Sequence, residues 1–87
     1  RITCAVDCGQ VVHPGIVEQQ MESGIVFGLS AALHGEVTFA DGAVRQSNYH
    51  DYAVLRLPQM PRIDVHRVAS DAPPGGCGEP STPVVAP

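Results

Sequence analysis

The sequence has no tryptophan and no lysine, only two phenylalanines and two tyrosines, and five basic residues, all arginine (Arg1, Arg45, Arg56, Arg62 and Arg67). Nine acidic residues oppose them and give a net charge of -4. No surface of this chain can neutralise a phosphate backbone, so nucleic acid is excluded as a partner. No apolar run reaches the roughly 18 residues that a membrane span needs, and no basic segment leads into an apolar one, so this stretch contains neither a transmembrane helix nor a signal peptide. Cysteine is scarce and odd in number, at Cys4, Cys8 and Cys77, which argues against a disulfide framework. Cys4, Cys8, His13 and Cys77 would make four zinc ligands. However, Cys-x3-Cys across a strand end is not a finger spacing, and nothing nearby pairs with Cys77. Small buried residues are the simpler account of these thiols.

What is present is an ordinary apolar content of 44% in 87 residues, with 9 Gly and 8 Pro. Disorder is therefore a poor reading. A chain this short buries only roughly 60–65% of its extended surface, so the core is expected to be thin. The chain opens with Arg1 running directly into an apolar alternation and stops on Val84, Val85, Ala86 and Pro87. Such ends are expected of a piece of a larger polypeptide.

The pattern predicts an α+β arrangement: one long helix packed on a small mixed sheet that includes a β-hairpin, plus a Gly/Pro-rich loop, together a fragment of a larger domain. Residues 2–7 alternate, with Ile2, Cys4 and Val6 on one face, and Cys8-Gly9 ends the strand. From Ile16 to about Leu33, apolar residues recur at helical spacing, with Pro14-Gly15 before them and Gly35 as the C-terminal stop. Gly24 and Gly28, four apart inside that helix, imply close approach, either of a sheet or of a bulky ligand. Asp41-Gly42 between Glu36–Phe39 and Val44–Ser47 marks a hairpin. Residues 48–61 show no clean period and read as irregular, with room for a short helical turn. Arg62–Ala69 alternates again as a strand. Residues 73–83 are dense in breakers around a single carboxylate, Glu79.

Glycines around Glu79 strip side chains from the backbone beside it. On a loop the simplest role for this residue is a solvated carboxylate. If a covering partner desolvates it, it becomes a general base usable near neutral pH. His13, His34, His50 and His66 show no two-ligand spacing and suit exposed or capping roles. Gln20, in Glu18-Gln-Gln-Met-Glu22, reads by itself as a solvated helix residue.

Five segments stand in one order: Val6-Asp-Cys-Gly9, Val12-His-Pro14, Val17 to Leu33, Gln46-Ser-Asn-Tyr-His-Asp-Tyr52 and Pro74-Gly-Gly-Cys-Gly-Glu-Pro80. Together they resemble the C-terminal part of the molybdenum-binding large subunit of the xanthine oxidase and aldehyde oxidase family, in particular its isoquinoline oxidoreductase type. The resemblance covers essentially the whole chain and implies that residues 1–87 are part of a molybdopterin-binding domain. It implies oxidative hydroxylation of aldehydes or N-heterocycles with oxygen from water, with Glu79 of Gly78-Glu79-Pro80 as the general base. It also implies that Gln20, in Gln20-Met-Glu-Ser-Gly24, touches the pterin end of the cofactor, with Gly76 and Gly78 beside it.

The implied cofactor is molybdenum-molybdopterin in its cytosine dinucleotide form. The implied partners are the remainder of the large subunit and a small iron–sulfur subunit, because three cysteines at these spacings hold no cluster. No side chain of this chain is expected to bind the metal directly. Three departures from the family pattern are visible: Ser23 and Ser81 stand where glycine is common, and His13 stands where Asn is common. Cys77 adds a thiol near the expected metal. The isolated piece is expected to be inactive, and the resemblance is compatible with a cytoplasmic or a periplasmic compartment without choosing between them. The alternative reading is a non-catalytic remnant that folds onto a partner and binds no cofactor. The flanking reading frame separates the two.

Overall fold

Parallel strands cannot be joined by a tight turn, so the first strand of this chain finds its partner only after a helix and a hairpin have intervened. The computed structural model describes residues 1–85, and the last two residues of the apolar end, Ala86 and Pro87, lie outside the described residues. The order of elements is β1 (Ile2–Val6), α1 (Pro14–Leu33), β2 (Phe39–Ala40), β3 (Ala43–Val44), a single 3-10 turn at Leu57–Gln59, and β4 (Ile63–Arg67). β1 and β4 pair in parallel, with Ile2 opposite Ile63 and Val6 opposite Arg67. β2 and β3 form a separate antiparallel pair, Phe39 opposite Val44.

The helix begins two residues earlier than its apolar pattern. Pro14 occupies the first helical position, where its missing N–H costs nothing. His13 caps it: its Nδ1 accepts from the Ile16 N–H at 3.2 Å. The imidazole thus supplies the acceptor that a helix N-terminus needs. α1 packs on the sheet through Val17, Met21 and Ile25, spaced at four, and these with Cys8 are the buried apolar core. Met21, 1% exposed, is its centre. Ile16, Phe27 and Leu33 stay exposed although they fit the helical spacing. The chain is 55 Å long by 26 and 22 Å across, with a radius of gyration of 16.1 Å. A compact domain of this length has a radius of about 12 Å.

At the helix end, Gly35 donates to the Ser30 carbonyl at 2.9 Å, but its backbone is not left-handed as a glycine stop would suggest. Glycine also makes room there: a Cβ would lie 2.8 Å from the Tyr52 hydroxyl and 3.0 Å from the Ala31 carbonyl. The hairpin matches its sequence signature. Asp41 and Gly42 have φ of 51° and 77°, the two left-handed residues of a tight primed turn. Thr38 and Gln46 brace its base, the Thr38 N–H donating to the Gln46 Oε1 at 2.8 Å.

The Gln46–Tyr52 motif is a structural knot. The Asp51 carboxylate accepts from the Asn48 N–H at 2.9 Å, from the Ser47 N–H at 2.9 Å and from the Ser47 hydroxyl at 3.0 Å. The Asn48 and Ser47 backbone donors hold its carboxyl below the usual 3.8. Because the folded value is depressed, the stabilisation is fully present above pH 3.8 and is lost as pH falls through the lower folded value. Asp51→Asn should remove it at neutral pH. Amide exchange at Ser47 and Asn48 in the full-length protein is then expected to quicken about tenfold, with α1 unchanged. Unaltered exchange at those two amides would show that the knot does not depend on the carboxylate.

Candidate active site

Two anchors fix the loop that carries Glu79. The first continues the parallel ladder beyond its strands. The Val68 N–H donates to the Val6 carbonyl at 2.8 Å, Gln10 to Ala72 at 3.0 Å and Gly75 to Cys8 at 2.8 Å. Gly9 makes this path possible: its φ is +71°, and a Cβ there would strike the Pro73 carbonyl. The second anchor lies past Glu79, where the chain crosses α1. A Cβ on Gly24 would collide with the Ser81 Oγ, and one on Gly28 would come within 2.7 Å of the Thr82 carbonyl. The close approach that the paired glycines admit is therefore that of the segment after Glu79, not of a strand. Ser81 donates its hydroxyl to the Met21 carbonyl at 2.9 Å.

These anchors bring the two walls of a cleft together. Gln20, Ser23, Gly24 and Phe27 line one wall from α1, and Gly78, Glu79 and Thr82 line the other, around a volume of about 350 Å³. Gln20 and Glu79, remote in sequence, thus share one cleft. Gly76 lies outside this lining, and both Gly76 and Gly78 have open space where a Cβ would stand. Cys77 is half-buried and does not line the cleft. Glu79 is exposed, so residues 1–85 do not themselves supply the desolvation that a general base needs.

Phe27 and Thr82 are cleft residues that sequence reasoning did not single out, and Ser23 stood out there only as a departure from the family pattern. Ser23, Gly24 and Phe27 follow Gln20 at three, four and seven, the spacing of one helix face, so that stripe was readable once Gln20 was taken as an anchor. Among the described residues, no three His, Cys, Asp or Glu side chains converge to hold a metal ion. The polar side chains in the cleft are an amide, two hydroxyls and a carboxylate. They suit a polar organic group with hydrogen-bonding edges rather than a bare cation.

The family described as the molybdopterin cofactor-binding domain matches residues 1–61, ending upstream of β4 and Glu79. The beta subunit of isoquinoline 1-oxidoreductase from Brevundimonas diminuta is 48% identical over 79 residues, which are 91% of this chain and 10% of that protein. A membrane-bound aldehyde dehydrogenase of Gluconacetobacter polyoxogenes, named for pyrroloquinoline quinone, is 34% identical over 87 residues, 100% of this chain and 11% of that protein. Among solved structures, quinoline 2-oxidoreductase from Pseudomonas putida 86 matches with a TM-score of 0.81 at 27% identity, covering 90% of this chain and 11% of that one. The chain spans about a tenth of the length of the curated relatives it matches.

Adding a methyl group at position 24 tests the second anchor. Gly24→Ala in the full-length protein is expected to lower unfolding stability by about 1–3 kcal/mol, since the new methyl must displace Ser81. Gly76→Ala, in open space, should stay within about 0.5 kcal/mol of wild type. Equal stabilities for the two variants by denaturant titration would mean that the crossing over α1 is not tight.

Proposed function

This chain belongs to the molybdopterin cofactor-binding domain family, and on that premise we propose that residues 1–87 are the portion of a molybdenum hydroxylase large subunit that carries its general base. The observation behind this reading is the shared cleft: Glu79 and Gln20 come from opposite ends of the chain and line the same cavity. When bound, the molybdenum–pterin group supplies the oxidising centre for hydroxylating an aldehyde or an N-heterocycle with oxygen from water. The cytosine dinucleotide form is the one we assign, with iron–sulfur clusters on a partner subunit taking the electrons.

The residues of this chain divide the remaining work. Gln20 offers an amide that donates and accepts at once, suited to the edge of a pterin. Gly78 leaves room beside the carboxylate for the bulk of the group, and Gly76 extends that bare stretch of backbone. Glu79 accepts a proton at a carboxylate oxygen from the water-derived nucleophile as the new carbon–oxygen bond forms. The rest of the large subunit, closing over the exposed face of Glu79, provides the desolvation that residues 1–85 leave out. Residues 1–87 alone are accordingly inactive.

In the full-length enzyme, Glu79→Gln is expected to lower kcat about 10²- to 10⁴-fold with molybdenum content unchanged. A fully metallated Glu79→Gln enzyme of wild-type rate would exclude the base assignment. Gln20→Ala is expected instead to lower the molybdenum and pterin recovered per subunit. Metal and cofactor analysis of the purified wild-type protein should find molybdenum and pterin and no pyrroloquinoline quinone. The opposite result would remove the molybdenum reading altogether.

A further inference from the structure

We propose that Ser81 is a positioning residue that sets the Glu79 carboxylate relative to Gln20. This rests on the reading of Glu79 as general base and goes beyond it by naming what holds that base in place. Ser81 is only 3% exposed, and it is the buried polar residue of the described chain. Its hydroxyl donates to the Met21 carbonyl at 2.9 Å. Met21 directly follows Gln20, and Ser81 stands two residues after Glu79. One hydrogen bond therefore joins the two walls of the cleft at the turn beside each functional side chain.

Local geometry makes this bond an effective constraint. Pro80 lies between Glu79 and Ser81, and its ring fixes φ near about −65°. The Thr82 N–H donates to the Glu79 carbonyl at 3.1 Å and closes a turn over Glu79–Thr82. With Ser81 held at one end and this turn closed, few backbone rotations remain that could swing the carboxylate. Gly24 completes the arrangement, because any side chain there would occupy the place of the Ser81 hydroxyl. A base displaced by about 1 Å loses up to about 100-fold in rate while substrate binding is little changed.

The test uses the full-length holoenzyme. Ser81→Ala keeps the volume and removes the donor. It is expected to lower kcat about 10- to 100-fold, with KM within about twofold, molybdenum content at the wild-type level, and faster amide exchange across 79–82. Ser81→Thr keeps a hydroxyl and should recover most of the rate. In a Glu79→Gln background, Ser81→Ala should cost no further activity, since it acts through that carboxylate.

Wild-type kcat in Ser81→Ala overturns the proposal. So does a rate loss that merely tracks lost molybdenum, a Ser81→Thr enzyme as slow as Ser81→Ala, or an equal fold-loss in both backgrounds. If Glu79→Gln proves fully active, the base reading fails, whereas the exchange measurement still reports whether Ser81 holds the loop. Should Ser81→Ala not accumulate, wild-type exchange decides. Protection of 79–85 as strong as that of Val17–Ile25 supports the tether, and exchange as fast as in the preceding loop overturns it.

Discussion

Everything at the cleft depends on the absence of two side chains. An ordinary helix keeps its neighbours at arm's length, because each Cβ tilts outward toward the preceding turn. At Gly24 and Gly28 that barrier is missing, and the chain after Glu79 lies against the helix where side chains would otherwise stand. Glycine in a helix interior costs about 1 kcal/mol relative to alanine. Here the cost is offset by a buried hydrogen bond to a helix carbonyl, whose second lone pair the helix itself leaves free.

The sheet serves the same end from the other side. Two parallel strands alone are a marginal structure. Their ladder gains firmness by running on past its strands, through the contacts of Cys8 and Gln10 with Ala72 and Gly75. The Gly/Pro-rich segment is thus tied down before and after its carboxylate, with the irregular part in between. Its lack of regular structure is not a lack of definition. Loops positioned by rigid elements are a common place for reactive groups, since their backbones are free to present them.

Much of the scaffold was legible in the sequence because its signals are local. Alternation marked β1 and β4, helical spacing marked α1, and Asp41-Gly42 marked the hairpin with its two left-handed residues. What the pattern could not reveal are contacts between remote positions. Gly35 reads as a helix stop and stands just past the His34 cap, but nothing local says that Tyr52 packs against it. Gly24 and Gly28 read as a close approach, but nothing local says that the approaching group is Ser81 and its successors. The candidate site shows the same division. Gln20 and Glu79 were singled out by resemblance, while composition favoured solvated side chains for both. Their meeting in one cleft is tertiary information, set by a bond between Ser81 and Met21.

The hairpin stands apart from this economy. Among the described residues β2 and β3 pair only with each other, Thr38 and Gln46 close their base, and neither Asp41 nor Gly42 at the tip lines the cleft. Within residues 1–85 the cleft therefore sets no constraint on that tip. Insertions and deletions at that tip change the outline of the molecule without altering the gap between the helix and the Glu79 loop. The hairpin tip can diverge at its own pace, while a single added methyl at position 24 is felt at once. Descendants of this sequence are expected to vary most at the hairpin tip and least along the helix face that the loop crosses.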